Sequence, residues 1–130
     1  MKSISSLTFY VQDLEATAAF YEALGFRFGT HDDTQLVVYL NWFSMKFLPQ
    51  AQEEHSEFIK EANLFNKGAG MYVNIKVDNV DEFYDAVVSK GMKPSSKPRD
   101  WPWGNREFAL RDPDGYKLVF FQNGKQKLSA

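Results

Sequence analysis

Apolar and polar side chains alternate in two segments of the chain, one near the N-terminus and one just past the middle. A period of two is typical of a β-strand that buries one face, because successive side chains point to opposite sides. Residues 4–11 and 71–77 therefore each predict a strand with one apolar side and one more polar side. The apolar sides carry Leu7, Phe9, Val11, Met71, Val73, Ile75 and Val77, and the opposite sides carry Ser6, Thr8, Tyr10, Tyr72, Asn74 and Lys76.

Both strands lead into a helical pattern of the same length, so the chain contains an internal repeat. The first copy runs from Val11 to Gly25 and the second from Val77 to Gly91, an interval of 14 residues in each. Asp13 is suited to cap the first helix, and a glycine commonly follows the last residue of a helix. A repeat of this size predicts two structural modules within one fold.

Further strand patterns complete the two modules. Residues 94–104 are rich in Pro and Trp and are expected to be irregular, while the chain from Gly124 onward is expected to fray. The additional strands are predicted to begin at Phe26 in the first module and to cover 35–40, 43–48, 106–110 and 116–122.

The predicted fold class is α+β, with two βαβββ modules in a single domain that spans 1–130. Module one covers about 1–50 and module two about 69–125. The connector, about 50–68, is expected to form a surface helix or an ordered loop, because its apolar residues have helical spacing among many Glu and Lys. One helix is expected to cover one face of each sheet, which leaves the other face free for a ligand.

Composition narrows the classes of function. The net charge is −2, which disfavours a polyanionic partner such as nucleic acid. The chain has no cysteine, and no apolar run approaches the ~20 residues that span a bilayer. The strand pattern begins at once without the features of a leader, so a cytoplasmic protein without a membrane partner is expected. Aromatic residues make up 16% of the chain, a share that favours a ligand cavity in addition to a core.

The chain resembles the vicinal-oxygen-chelate superfamily, which includes glyoxalases, extradiol dioxygenases, fosfomycin-resistance transferases and bleomycin-resistance proteins. This resemblance implies two βαβββ modules that form a curled mixed sheet around a cup, often completed by a second copy in a homodimer. The residues that carry it are Val11-x-Asp13-Leu14, Phe20-Tyr21, Leu24-Gly25-Phe26, Val77-Asp78-x-Val80-Asp81, Trp103-Gly104-x-Arg106 and Asp112-Pro113-Asp114-Gly115-Tyr116.

The resemblance also locates the positions that hold metal ligands in metal-dependent members. They correspond to Ser6, Tyr72 and Val119, with a fourth place near 45–47, and none of them is His, Glu or Asp. Such a site needs imidazole or carboxylate donors, so no metal and no other cofactor is expected. Without a Lewis acid, an enzymatic activity is less favoured than binding. Glu107 and Lys76 are an alternative acid and base if they face the cup, and solvated surface residues otherwise.

The candidate ligand contacts come from the free sides of the strands and from the Trp-rich loop. They comprise an aromatic and neutral lining with one ammonium group, which suits a flat or amphipathic organic molecule. For the loop the alternative is packing against its own sheet edge, and Arg106 either braces the loop or contacts an anionic group. The predicted ligand-binding residues are Ser6, Thr8, Tyr10, Trp42, Tyr72, Asn74, Lys76, Trp101, Trp103, Arg106, Val119 and Phe121.

Three functions remain in competition at this stage. The leading hypothesis is a metal-independent protein that binds a small aromatic or amphipathic compound, as in antibiotic sequestration. The alternatives are a metal-dependent lyase or dioxygenase of glyoxalase type and a protein-interaction module. The resemblance implies that bleomycin binders have an acidic groove, and Lys76 in the predicted lining argues against bleomycin itself.

Overall fold

A computed structural model describes residues 1–124 of the chain. The chain divides into two compact units, Met1–Lys67 and Gly68–Ala130, and the connector groups with the first. The predicted α+β class with two βαβββ modules is confirmed, whereas the single domain and the cup between the modules stay predictions. Within residues 1–124 the strands are β1 (Ser6–Val11), β2 (Arg27–His31), β3 (Leu36–Leu40), β4 (Phe43–Pro49), β5 (Tyr72–Lys76), β6 (Arg99–Asp100), β7 (Asn105–Arg111) and β8 (Lys117–Asn123), and the α-helices are α1 (Leu14–Ala23), α2 (Ser56–Ala62) and α3 (Val80–Ser89).

In the first unit the strand order is β1-β4-β3-β2. β1 runs parallel to β4, and the other pairs are antiparallel. Helix α1 lies against β3 and β4. On this covered side, Phe9 and Phe47 are paired in register and stacked at 5.2 Å between ring centroids. Tyr21 of α1 packs on Phe47 at 4.8 Å, so the helix is held by a buried aromatic cluster.

Helix α1 begins and ends where the sequence predicts. The Asp13 carboxylate accepts hydrogen bonds from the backbone N–H groups of Glu15 at 2.9 Å and Ala16 at 3.2 Å. These bonds satisfy two donors that the first turn of a helix leaves unpaired. Gly25 ends the helix with φ +95°, a conformation that is costly for residues with a Cβ atom.

The second unit repeats this plan with the strand order β5-β8-β7-β6. Helix α3 covers β7 and β8, and Phe83 packs on Phe120 at 4.7 Å. Its N-terminus has two side-chain acceptors. Asn79 accepts from the N–H of Glu82 at 3.1 Å, and Gln122 Oε1 accepts from the N–H of Val80 at 2.6 Å.

The stretch 94–104 is more regular than its composition indicates. Arg99 and Asp100 pair with Glu107 and Arg106 as the short strand β6. Upstream, the N–H of Ser95 donates to the carbonyl of Ala109 at 2.8 Å. The expectation of an irregular loop is therefore wrong for its first half, because the open edge of β7 supplies backbone partners that sequence patterns do not show. The fraying predicted beyond Gly124 falls on residues outside those described.

The connector forms a short 3-10 helix at Gln50–Gln52 followed by α2. Of its predicted apolar stripe only Ala62 is buried, while Phe58 and Phe65 are exposed. No helix of the described part is long and apolar enough to cross a membrane.

Candidate functional site

The side of each sheet that faces away from its helix is called here the first open face or the second open face. Strand register decides which side chains share such a face, since partners in register point the same way. In the first unit Ser6 aligns with Ser44 and Tyr39, and Thr8 aligns with Lys46. The first open face thus carries Ser6, Thr8, Tyr10, Arg27, Val37, Tyr39, Ser44, Lys46 and Leu48.

Tyr10 is engaged within its own unit. Its hydroxyl donates a hydrogen bond of 2.8 Å to Oε2 of Glu53, in the connector. Partial desolvation raises the pKa of Tyr10, and the bond to the Glu53 carboxylate raises it further. The backbone N–H of His55 and the Tyr10 hydroxyl lower the pKa of Glu53. This hydrogen bond orients the side chain of Tyr10, a predicted ligand contact, and uses the hydrogen of its hydroxyl group.

The second open face collects five of the predicted contacts on adjacent strands. Tyr72 and Asn74 align with Lys117 and Val119, and Lys76 aligns with Phe121. Lys117 and Arg111 also belong to this face and were not among the predicted contacts, although Lys117 lies two residues before Val119 on the same strand. The full face carries Tyr72, Asn74, Lys76, Arg99, Asn105, Glu107, Ala109, Arg111, Lys117, Val119, Phe121 and Asn123.

A hollow of about 290 Å³ opens on the second open face. Val119 and Ala109 are aligned in register and provide its apolar part, and Val119 is only 4% exposed. Trp101 provides an aromatic wall. The charged groups that line it are Glu107, Arg111 and Lys117, and Ser95 and Ser96 add hydroxyls.

The Trp-rich loop forms a continuous stack. The rings of Trp101 and Trp103 lie 4.7 Å apart and nearly parallel, at 11°. The Arg99 guanidinium also lies over the Trp101 ring, 3.7 Å from the ring centroid, a cation–π contact. Trp103 is 62% exposed and borders a broader depression of about 900 Å³ that Trp101 and Arg106 also line.

Arg106 braces the loop onto helix α3. Its Nε and Nη2 atoms donate to the two carboxylate oxygens of Asp81 at 2.9 Å each, and Nη1 lies 3.4 Å from Asp100. The Asp81 carboxylate raises the pKa of Arg106, and Arg106 in turn lowers the pKa of Asp81. Arg106 aligns with Gln122, which caps α3, so it lies on the helix side of the sheet and not with Asn74 and Lys76. Of the two roles considered for Arg106 the structure shows the brace, and ligand contact stays a prediction.

Trp42 lies in the β3–β4 hairpin turn beside Asn41, which has φ 52°. It is 83% exposed and touches Phe43 edge-on at 5.8 Å. An indole this exposed contributes little to the stability of the fold. Its role as a ligand contact stays a prediction.

The positions that the resemblance assigns to metal ligands carry unsuitable donors. Ser6, Tyr72 and Val119 supply a hydroxyl, a phenol and methyl groups. On β4 the register places Ser44 and Lys46 on the open face, while Met45 and Phe47 are buried beneath α1. Within residues 1–124 no three His, Cys, Asp or Glu side chains cluster as a metal site would require. This donor set does not fit a divalent transition metal.

Comparison with known proteins assigns the family. The model of the Glyoxalase/Bleomycin resistance protein/Dioxygenase superfamily matches residues 3–120. The chain is 29% identical over 133 residues to a bleomycin resistance protein of Geobacillus stearothermophilus, covering 96% of this chain and 98% of that protein. A bleomycin resistance protein of Klebsiella pneumoniae is 29% identical over 119 residues, 86% of each chain.

Solved structures share the fold. A glyoxalase-related enzyme from Fulvimarina pelagi superposes with a TM-score of 0.78 at 20% identity, over 95% of this chain and 89% of that one. A bleomycin-binding protein complexed with bleomycin superposes with a TM-score of 0.64 at 26% identity, over 94% and 99% of the two chains. The resemblance seen in the sequence is confirmed: the chain belongs to the glyoxalase/bleomycin resistance protein/dioxygenase superfamily.

Proposed function

We propose that this chain is a cytoplasmic, metal-independent protein that binds a small aromatic or amphipathic compound, as an antibiotic-sequestering protein does. The observation that carries the proposal is its match to bleomycin resistance proteins over nearly the full length of both chains. Sequestration needs only a stable complex, because a bound drug no longer reaches its target. No catalytic group is required for that role.

Metal independence is supported by the donor chemistry at the family's ligand positions. Zinc, nickel, iron and manganese sites are built from imidazole and carboxylate groups, and Ser6, Tyr72 and Val119 offer neither. Both histidines lie elsewhere in the first unit. His31 pairs with Glu15 at 3.1 Å, and His55 contacts Phe58 edge-on.

The lining of the second open face supports the proposed ligand class. Trp101 and Phe121 offer aromatic surface, Val119 offers apolar surface, and Asn74 offers an amide that both donates and accepts hydrogen bonds. Small-molecule sites combine apolar walls with a few polar groups in this way. We propose Tyr72 and Trp103 as ligand contacts as well, because both rings are more than half exposed.

A homodimer is part of the proposal. Trp42, Phe65 and Trp103 are 83%, 97% and 62% exposed, and single chains rarely leave so many large apolar groups uncovered. A twofold partner is the usual way to cover such surface. Sedimentation at micromolar concentration is expected to show a dimer, and a species of only 15.0 kDa would contradict this part.

A calorimetric titration tests the proposal. Bleomycin and a panel of small aromatic compounds are titrated into the wild-type chain, Tyr72→Ala and Trp103→Ala, with Val88→Ala on the exposed side of α3 as control. A compound in contact with either aromatic residue is expected to bind more weakly to that variant by about 1–3 kcal/mol, with little change for the control.

Elemental analysis of protein purified without chelator separates this function from the enzymatic alternative. We expect no stoichiometric transition metal. One tightly held Ni, Zn, Fe or Mn per chain, together with lyase or dioxygenase turnover, would overturn the proposal.

A further inference from the structure

The second open face carries an unusual pair of like charges. Arg111 on β7 and Lys117 on β8 are direct cross-strand partners and point to the same side of the sheet. Like charges in that arrangement destabilise a sheet unless a counter-charge offsets them. Within residues 1–124 neither Arg111 nor Lys117 forms an ion pair with a carboxylate, so this counter-charge is missing.

Both cations are held in place beside the 290 Å³ hollow that they line. One Arg111 Nη atom donates to the carbonyl of Gly115 at 2.8 Å, which fixes the guanidinium and leaves its other donors free. The Lys117 ammonium lies 5.1 Å from the ring centroid of Tyr72. The Ser96 hydroxyl accepts from the N–H of Ala109 at 3.0 Å and retains its own hydrogen for donation.

A carboxylate marks the opposite end of the hollow. Glu107 lies on the same strand and face as Arg111, four residues away, which corresponds to roughly 13 Å along a strand. Its cross-strand partner is Arg99, but the Arg99 guanidinium is stacked over Trp101 and forms no ion pair with it. The hollow is therefore polarised, with two cations at one end and an anion at the other.

The second open face as a whole is positively charged, like the Arg111–Lys117 end of the hollow. Its register positions hold four cations, Lys76, Arg99, Arg111 and Lys117, and one carboxylate, Glu107, although the whole chain has a net charge of −2. A field of this sign attracts anions and repels cations such as bleomycin.

We infer that the second open face binds an oxyanion-bearing aromatic compound, with its carboxylate or phosphate between Arg111 and Lys117 and its flat body against Trp101 and Val119. Glu107 sets the orientation, because it repels the anionic group and accepts only a neutral or cationic tail. This assignment rests on the proposed small-molecule binding and specifies the class of ligand.

A set of naphthalene probes tests the inference by calorimetry at neutral pH. 2-Naphthoate and 2-naphthyl phosphate carry an oxyanion, 2-naphthamide is the uncharged match, and 2-naphthylmethylammonium is the cationic one. The oxyanions are expected to bind about 10- to 100-fold more tightly than the amide, because hydrogen bonds to charged groups are stronger than those between neutral groups. Comparison of the two oxyanions shows which of them the site prefers. A higher NaCl concentration should weaken the binding of the oxyanions and leave the binding of the amide unchanged.

A matched pair of double variants locates the effect. Arg111→Gln with Lys117→Gln is expected to abolish the preference for oxyanion over amide. Lys60→Gln with Lys93→Gln removes the same charge from exposed positions outside the face and should preserve it. Circular dichroism verifies folding, and Lys117→Gln alone, which keeps the Arg111–Gly115 bond, replaces the first double variant if that one does not fold.

The outcomes separate this inference from the function on which it rests. If amide and oxyanion bind equally, or if the ammonium probe binds best, the anion site is wrong while small-molecule binding stands. If neither these probes nor any compound of the aromatic panel binds, both fail. If the oxyanion preference survives the loss of Arg111 and Lys117, the anion is held elsewhere and the assignment to this hollow is wrong.

Discussion

Equivalent strands in the two units place different side chains on their open faces. β1 and β5 occupy the same place in each sheet, and residues 66 positions apart correspond. On the covered side Phe9 and Ile75 are both apolar. On the open side Thr8 corresponds to Asn74, and Tyr10, tied to Glu53, corresponds to Lys76, which forms no ion pair among residues 1–124.

The difference shows which positions the fold constrains. A side chain buried beneath a helix is apolar unless it has a polar partner there, because it loses contact with water. An open-face side chain meets no such requirement, so its chemistry is free to differ between the two units. The N-terminus of each helix is constrained as well, because its unpaired N–H groups need acceptors. Asp13 provides them in the first unit, and Asn79 and Gln122 provide them in the second.

The largest expected effect contrasts the covered and open sides directly. Phe9→Ala is expected to lower the free energy of unfolding by roughly 3–5 kcal/mol, because it empties a buried site beside Phe47 and Tyr21. Tyr72→Ala, at a position 55% exposed, should cost less than about 1 kcal/mol. Urea denaturation measures both. Equal losses would mean that the two sides of the sheets are wrongly assigned.

The helix caps predict a smaller difference between the units. Asp13→Ala leaves two N–H groups of α1 without their acceptor and should cost about 1–2 kcal/mol. Asn79→Ala removes only one acceptor, since Gln122 still accepts from Val80, and should cost about half as much. Thermal unfolding compares the variants, with Asp78→Ala, just outside α3, as the control. A larger loss for Asn79→Ala would reverse the ranking.

The first turn of each helix holds an acidic residue, and the two acidic residues have different partners. Glu15 pairs with His31, and the equivalent Asp81 pairs with Arg106. Arg106 lowers the pKa of Asp81, so the pair stabilises the fold above the ordinary value of 3.8 and loses its contribution as the pH falls through the lowered folded value. The effect is about 0.5 kcal/mol because Asp81 is half exposed.

Urea denaturation from neutral to acidic pH tests this assignment. The stability difference between the wild-type chain and Asp81→Asn should shrink as the pH falls, while Asp85→Asn, farther along α3, serves as control. A difference that stays constant with pH would show that the ion pair contributes nothing.

The smallest expected effect is that of metal removal. Ser6 in the first unit and Tyr72 in the second take equivalent places, and neither is a strong metal ligand. A bound metal stabilises the folded state by its binding free energy, so a metal-free protein should have the same melting temperature with and without EDTA. A drop of several degrees that one specific divalent ion reverses would contradict metal independence.

The fold follows from local patterns to a large extent. The period-two alternation placed β1 and β5, and the Asp13 and Gly25 signals placed α1. These features depend on residues close together in sequence. β6 was missed because two residues among prolines carry no periodic signal, and their partners lie on β7.

The site was predicted only in part, for a related reason. Alternation identified Tyr72, Asn74 and Lys76 on one side of β5, and Phe121 followed from Val119. Arg111 and Lys117 have no local feature that distinguishes them from other charged residues at strand ends. Only the β7–β8 register shows that they face each other beside Trp101.

Some features of this protein are set by the local sequence, and others only by the tertiary structure. Alternation, capping residues and the 66-residue repeat already specify two βαβββ modules, because helix ends and strand faces are set by neighbours along the chain. The Arg99–Trp101–Trp103 stack and the polarised hollow depend on how β6, β7 and β8 pair. The Arg106–Asp81 brace depends on the packing of α3 against β7. Only these tertiary contacts bring the charged and aromatic side chains of the candidate site onto one face.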